Sequence, residues 1–150
     1  MTFEKRVEYG WLKREASSAS EIGDLLRIVQ RGLDDSRVEA ISDDLRFISA
    51  FNAALTAATT ALRASGYRTS TQLGHHVKTI ESLELTIHAS IKVVQRLKIF
   101  NSKRNKSSYD TAGAVSDQDL KEMTKLALEL QDQVVRWLEK SHPGLMNTRG

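Results

Sequence analysis

The apolar residues of this chain recur every three or four positions over most of its length, which is the spacing of one face of an α-helix. They show no clear alternation with a period of two, which is typical of a half-buried strand. Proline, which interrupts helices, occurs once, at Pro143. The pattern therefore predicts an all-α protein.

Four long amphipathic segments carry this repeat, and short connections join them. Long amphipathic helices with short connections predict an antiparallel up-and-down bundle, here of four to five helices. Polar residues that accept hydrogen bonds from the first free amides mark the helix starts. The predicted N-terminal caps are Ser18, Ser42, Thr86 and Ser116.

Shorter features complete the predicted fold. A first helix is expected from about Phe3 to Ala16, and a short helix from Gly74 to Ser82. Gly66 is expected to end the second long helix, because glycine commonly follows a helix C-terminus. Loops are expected from Tyr67 to Gln72 and from Ser107 to Val115.

The length of the chain, 150 residues, predicts a single domain. Its core is expected to extend from about residue 20 to residue 140. Pro143 and Gly144 should stop the last helix, which leaves residues 143–150 as a loose tail.

Several classes of protein are disfavoured by what the sequence lacks. There is no cysteine, so disulfides and thiolate metal sites are excluded. No phosphate-binding glycine loop or serine–histidine nucleophile pattern occurs, which argues against the common small-molecule enzymes. The charged start at residues 1–6 lacks the apolar core of a signal peptide, and no apolar run approaches a membrane span. We therefore expect a cytoplasmic protein with no membrane attachment, metal or cofactor.

Basic residues are concentrated in the third long segment. From Leu85 to Tyr109 there are six basic residues and no acidic one, whereas residues 117–139 contain six acidic and three basic residues. This asymmetry predicts that a polyanion meets one face of the molecule, although both segments could also be ordinary solvated helix faces. The six basic residues are Lys92, Arg96, Lys98, Lys103, Arg104 and Lys106.

The end of the basic segment contains the candidate catalytic residues. Metal-independent phosphodiester chemistry requires a fixed cation and a group that transfers a proton near neutral pH. Arg104 suits the first role, because its guanidinium stays charged and matches phosphate geometry. Asn105 can orient a phosphate or a water molecule, and Tyr109 can donate a hydrogen bond or stack on an unpaired base. The predicted nucleic-acid contacts are Lys98, Lys103, Arg104 and Lys106.

This arrangement resembles the HEPN domain family of small helical-bundle proteins. In that family an arginine and a following polar residue end the third long helix, and a histidine stands after four to six intervening residues. Arg104 and Asn105 match this signature, and the segments Phe51–Leu55 and Ala64–Arg68 also resemble family members. The histidine window, residues 109–111, contains no histidine and begins with Tyr109.

The resemblance implies a HEPN-like bundle that binds or acts on RNA through a degenerate or atypical metal-independent ribonuclease site. It also implies a homodimer and a role in a toxin–antitoxin system or as the partner of a nucleotidyltransferase. In such pairs a tyrosine can be the target of nucleotide transfer, which gives Tyr109 a second interpretation. A different class of function, a helical protein–protein adaptor without a nucleic-acid role, is also compatible with the pattern.

The pair His75–His76 has two interpretations. One of these imidazoles could replace the missing histidine as a proton acceptor, because imidazole titrates near neutral pH. Alternatively, both could pack or cap the start of the short helix after Gly74. A metal site is disfavoured, because adjacent histidines point to different sides of a helix.

Overall fold

The computed structural model describes residues 1–70, 74–109 and 115–146, and the side chains of residues 106–109 lie outside this description. The described chain is mostly helical, which confirms the predicted all-α class, although it also contains a two-stranded sheet. The elements are α1 (Phe3–Glu8), β1 (Leu12–Arg14), α2 (Ala19–Ser36), α3 (Asp43–Ala64), β2 (Tyr67–Thr69), α4 (His75–Glu81), α5 (Leu83–Thr86), α6 (Ile91–Tyr109), α7 (Asp117–Ser141) and α8 (Pro143–Met146).

Helices α2 and α3 pack side by side in opposite directions. Near one end, Arg63 donates hydrogen bonds to Glu21, and near the other end Arg46 Nε donates to the carbonyl of Ser36 at 2.8 Å. These contacts join the start of each helix to the end of the other. The two helices are therefore antiparallel.

Helices α6 and α7 also run in opposite directions, and ion pairs join them. Lys103 Nζ lies 2.7 Å from a carboxylate oxygen of Asp119, and Arg96 pairs with Glu122. The basic and acidic segments of the sequence are thus adjacent, and several of their charges neutralise each other.

The core surrounds α3, which contacts each of the other long helices. One side of α3 consists largely of alanine, so neighbouring backbones can approach closely, while Phe47 and Phe51 fill the remaining space. Phe47 meets Phe100 of α6 edge to face, with ring centroids 5.6 Å apart. Met123 of α7 completes this buried layer.

Three of the four predicted N-caps are confirmed. The hydroxyls of Ser18, Ser42 and Ser116 accept hydrogen bonds from the amides three residues later. The prediction for Thr86 is wrong, because Thr86 is the last residue of α5 and α6 begins only at Ile91, capped by Ser90. Gly66 follows the end of α3 with a φ of 91°, as expected for glycine there.

The predicted first helix, Phe3 to Ala16, is too long. Helix α1 ends at Glu8, Gly10 adopts a φ of 77°, and β1 follows. The expected loop from Tyr67 is also wrong in its first residues, because β2 pairs antiparallel with β1 and Leu12 lies opposite Thr69. Two strands of three residues are too short for an alternating pattern to be recognised in the sequence.

Two boundaries near the end of the chain also differ from the prediction. Helix α6 continues to Tyr109, so residues 107–109 are helical rather than part of a loop. Residues 143–146 form α8, in which Leu145 and Met146 pack against the core. The rest of the predicted tail, residues 147–150, lies outside the described residues. Within the description no helix is both long and apolar enough to cross a membrane.

A close approach of α2 to α3 depends on Gly32. A Cβ atom at this position would lie 3.0 Å from the carbonyl oxygen of Ser49 and 3.1 Å from the Cβ of Ala53. We expect Gly32→Val to destabilise the protein by about 2 kcal/mol, because a β-branched side chain must push the helices apart. Chemical denaturation measures the free energy of unfolding. The matched control is Arg31→Val on the exposed side of α2, and equal losses in the two variants would contradict this packing.

Candidate functional site

A cleft of about 630 Å³ lies between α4, α6 and the end of the small sheet. Its described lining contains two guanidinium groups, two imidazoles, two amides and no carboxylate. Such a lining favours an anion. The cleft is called the Arg104 cleft below, and its lining residues are Arg68, Thr69, Ser70, Gly74, His75, His76, Val77, Asn101, Arg104 and Asn105.

Arg104 lies half-buried in the last turns of α6, and its side chain reaches the cleft wall. One terminal nitrogen donates a long hydrogen bond of 3.4 Å to Oδ1 of Asn105. Its Nε is buried and has no hydrogen-bond partner among the described residues. Among the described residues no carboxylate forms an ion pair with this guanidinium.

Two amides lie beside Arg104 because of helical spacing. Asn101 and Asn105 stand three residues before it and one residue after it, and all three line the cleft. Oδ1 of Asn101 is buried without a hydrogen-bond partner in the described chain. Asn101 was not among the predicted site residues, although its i, i+3 spacing to Arg104 is visible in the sequence. Asn101 and Asn105 together give the cleft polar groups that can orient a ligand.

The histidine pair forms the opposite wall. Gly74 precedes α4 in a left-handed conformation, with a φ of 84°, and this turn directs His75 and His76 into the cleft. The two rings meet edge to face with centroids 4.2 Å apart. Burial lowers the pKa of His76, and electrostatic interactions with His75 and Arg104 lower it further. The imidazole of His76 is therefore neutral at pH 7 and able to accept a proton.

The small sheet supplies the third wall. Arg68 extends from β2 into the lining, and its guanidinium also donates to Glu15 at 3.0 Å. Ser70 is held in place because its hydroxyl donates to the carbonyl of Gly10 at 2.7 Å. Arg68 adds positive charge at the rim, and this charge is partly neutralised by Glu15.

Two of the other predicted nucleic-acid contacts, Lys98 and Lys103, are not brought together with Arg104. Lys98 donates to Glu81 at 2.7 Å and faces a different cleft, and Lys103 donates to Asp119 at 2.7 Å. The side chains of Lys106 and Tyr109, the last predicted members of the site, lie outside the described residues. Of the predicted residues, the structure therefore places Arg104 and Asn105 in one cleft, and it adds the histidine pair.

The chemistry that this cleft can support follows from its groups. Guanidinium and amide groups can bind a phosphate, and a neutral imidazole can take a proton. No group of three or more carboxylate, histidine or thiol ligands suited to a metal ion occurs in the described parts of the chain. The chain matches no protein-family model, no curated protein and no solved structure.

Proposed function

We propose that this protein binds single-stranded RNA in the Arg104 cleft and cleaves its backbone without a metal ion. The observation that carries this proposal is the convergence of Arg104, Asn105 and the imidazoles of His75 and His76 on one cleft whose described lining has no carboxylate. A cation for the phosphate and a base for the ribose hydroxyl are the two groups that the reaction requires.

The phosphate is bound by Arg104. Its guanidinium presents donors in a planar fork that matches two phosphate oxygens, and it has no described carboxylate to displace. Asn105 can donate a further hydrogen bond to the same phosphate. Arg68 lies at the rim, where a neighbouring phosphate of an extended strand can reach it.

The proton is transferred to His76. Its imidazole takes the proton of the ribose 2′-hydroxyl, a bond forms between O2′ and phosphorus, and the bond between phosphorus and O5′ breaks. A water molecule protonates the departing O5′, and the resulting hydroxide takes the proton back from His76. The products are a 2′,3′-cyclic phosphate and a 5′-hydroxyl, so DNA, which has no 2′-hydroxyl, is bound but not cleaved.

The test combines binding and cleavage of a short single-stranded RNA. Binding should weaken as salt is raised, because bound phosphates release counterions. Cleavage should continue in the presence of a chelator. Affinity that does not change with salt would favour the adaptor function over RNA binding.

We expect His76→Asn to lower the cleavage rate about 100-fold or more while RNA affinity changes little, because general base catalysis contributes about 100-fold to 10,000-fold. Quantified product formation and a binding titration measure the two quantities. His88→Asn is the matched control, since His88 is exposed, lies outside the cleft and has a φ of 56° that asparagine tolerates. Undiminished cleavage by His76→Asn would remove this imidazole from the reaction.

The pH profile gives an independent check on the same group. The pKa of His76 is lowered by burial and by its interactions with His75 and Arg104, so the neutral base persists below the ordinary histidine pKa of about 6.5. Cleavage should therefore stay constant as the pH falls from 8 to about 6.5 and decline only at lower pH. A decline that begins above pH 7 would contradict the assignment.

We also propose that the protein is HEPN-like, as the resemblance in the sequence suggested. A HEPN-like protein of this kind would act in the cytoplasm as a homodimer, in which two Arg104 clefts double the positive field presented to RNA. An antitoxin or a nucleotidyltransferase would be its protein partner, with Tyr109 as the residue open to nucleotide transfer. Sedimentation analysis of the full chain tests the dimer, and the intact mass after co-expression with the neighbouring gene product tests the modification.

A further inference from the structure

A second cleft, of about 330 Å³, opens on the side of α4 and α6 that faces α1. It shares no lining residue with the Arg104 cleft. We call it the Arg6 cleft, and its described lining includes Arg6, Trp11, Lys78, Glu81, Glu84, Ala89, Ile91, Val94, Gln95 and Lys98.

Arg6 is unusual because it is charged, buried and incompletely paired. The residue is 7% exposed, and its Nε is buried without a hydrogen-bond partner in the described chain. The nearest described carboxylate oxygen belongs to Glu84 and lies 4.0 Å from the terminal nitrogen, beyond hydrogen-bond distance. Glu84 is itself largely exposed. Because so little negative charge lies close to this buried guanidinium, it strongly attracts an anion.

The other charges of the cleft are already paired with one another. Glu81 accepts a hydrogen bond of 2.7 Å from Lys98 and lies 3.6 Å from Lys78, whose Nζ also rests 3.4 Å from the ring centroid of Trp11. Burial alone would raise the pKa of Glu81, but Lys98, Lys78 and Arg6 together hold it below its usual range. The side chains that line the cleft thus supply three cations and two carboxylates, which leaves one net positive charge among them.

Apart from Gln95, the remaining described surface of the cleft is apolar. Ile91 is 73% exposed, and Val94, Ala89 and the half-buried Trp11 extend the same wall. Exposed apolar side chains next to an incompletely paired guanidinium match a ligand that has an apolar body and an anionic head.

We infer that the Arg6 cleft binds a small amphipathic monocarboxylate, with the carboxylate on Arg6 and the apolar body against Ile91, Val94 and Trp11. A single negative charge neutralises the excess charge of the cleft, whereas a doubly charged phosphate would exceed it. The volume of the cleft lies at the lower end of the range for small-molecule sites, about 300 Å³ to 1,000 Å³, so the ligand is small. This inference is independent of the proposal for RNA.

The test is a titration of the full chain with octanoate, a probe with one carboxylate and an eight-carbon body. Isothermal titration of the wild-type protein should give saturable binding. Octan-1-ol, which has the same length without the charge, should bind about tenfold more weakly, because a charge-assisted hydrogen bond is lost. Equal binding of the two probes, or no binding of octanoate, would overturn the proposal. Tighter binding of octyl phosphate than of octanoate would overturn the choice of a carboxylate.

Two variants locate the site. Arg6→Met keeps the apolar stem and removes the charge, so octanoate should bind about tenfold more weakly while octan-1-ol is unaffected. Arg104→Ala lies in the other cleft and should leave octanoate binding unchanged. If Arg6→Met fails to fold, the fluorescence of Trp11 in Trp137→Phe reports on the same cleft, because the sequence contains only these two tryptophans. An unchanged octanoate affinity in Arg6→Met, or no effect of saturating octanoate on Trp11 emission, would overturn the site.

Discussion

Replacing Arg104 with alanine is expected to lower the rate of RNA cleavage about 100-fold or more, since removal of one donor that stabilises transition-state charge has effects of about 100-fold to 1,000-fold. No described carboxylate pairs with the guanidinium of Arg104, and its fork can therefore stabilise the phosphorane that forms during the reaction. RNA affinity should also fall, and its dependence on salt should become shallower. Quantified cleavage of a labelled RNA measures the first effect, and titrations at two ionic strengths measure the second.

Two further substitutions in α6 test whether the loss of cleavage is specific to the guanidinium of Arg104. Lys92→Ala removes an equal charge from an exposed position of α6 outside the cleft, and it should preserve cleavage. Arg104→Lys keeps the charge but loses the planar fork, so its rate should fall between those of the wild type and Arg104→Ala. If Lys92→Ala is as inactive as Arg104→Ala, general charge rather than the cleft explains the activity.

Replacing Arg63 with methionine is expected to reduce the free energy of unfolding by about 3 kcal/mol, because this buried guanidinium holds several acceptors that would lose their partner. It donates to the carbonyls of Glu15, Ala16 and Tyr67 at 2.8 to 3.2 Å. It also donates twice to Glu21, at 2.8 and 3.1 Å. For a protein of this size the midpoint of thermal unfolding should fall by about 10 °C, which calorimetry measures.

The matched control is Arg31→Met, an exposed arginine of α2 whose loss should change stability little. Glu21→Gln tests the partner. The hydrogen bond from Arg63 lowers the pKa of Glu21, so its contribution is present at neutral pH and disappears as the pH falls through the lowered pKa. Glu21→Gln should therefore be less stable than the wild type at pH 7, and the difference should shrink in acid. If Arg63→Met is as stable as Arg31→Met, the hydrogen bonds of Arg63 do not stabilise the fold as proposed.

Arg63 also connects stability to the site. Its hydrogen bond to the carbonyl of Tyr67 holds the start of β2, which contains Arg68 and Thr69 of the Arg104 cleft and is followed by Ser70. Loss of this anchor frees one wall of the cleft. We therefore expect the folded fraction of Arg63→Met to bind RNA more weakly, although Arg63 is not in the lining.

Local sequence signals predicted the long helices well. Ser18, Ser42 and Ser116 cap helices that begin one residue later, and Gly66 follows the end of α3. Local sequence predicts these features because a cap is a contact between residues three positions apart, and an apolar stripe depends only on helical periodicity. The misplaced start of α6 shows the limit, since Thr86 and Ser90 are equally suitable caps and the packing of α5 decided between them.

The two strands could not be predicted from local sequence in this way. β1 and β2 pair across more than fifty residues of sequence, and each contributes three residues, so no local pattern identifies them. Arg63 and Glu21 stand 42 positions apart and fix this part of the chain. Gly10, which lies inside the predicted first helix, is where the chain turns into β1.

The sequence by itself determined the helical class, the principal caps and the position of Arg104 with Asn105 at the end of a basic segment. Only the tertiary structure decided which basic side chains of α6 pair with a carboxylate and which have no described carboxylate partner. The arrangement of α6 beside α7 places Lys103 against Asp119, and the turn at Gly74 brings His76 into the same cleft as Arg104. The physical reason is that helical spacing fixes which residues share a face, whereas pairing between distant charges depends on how those faces meet.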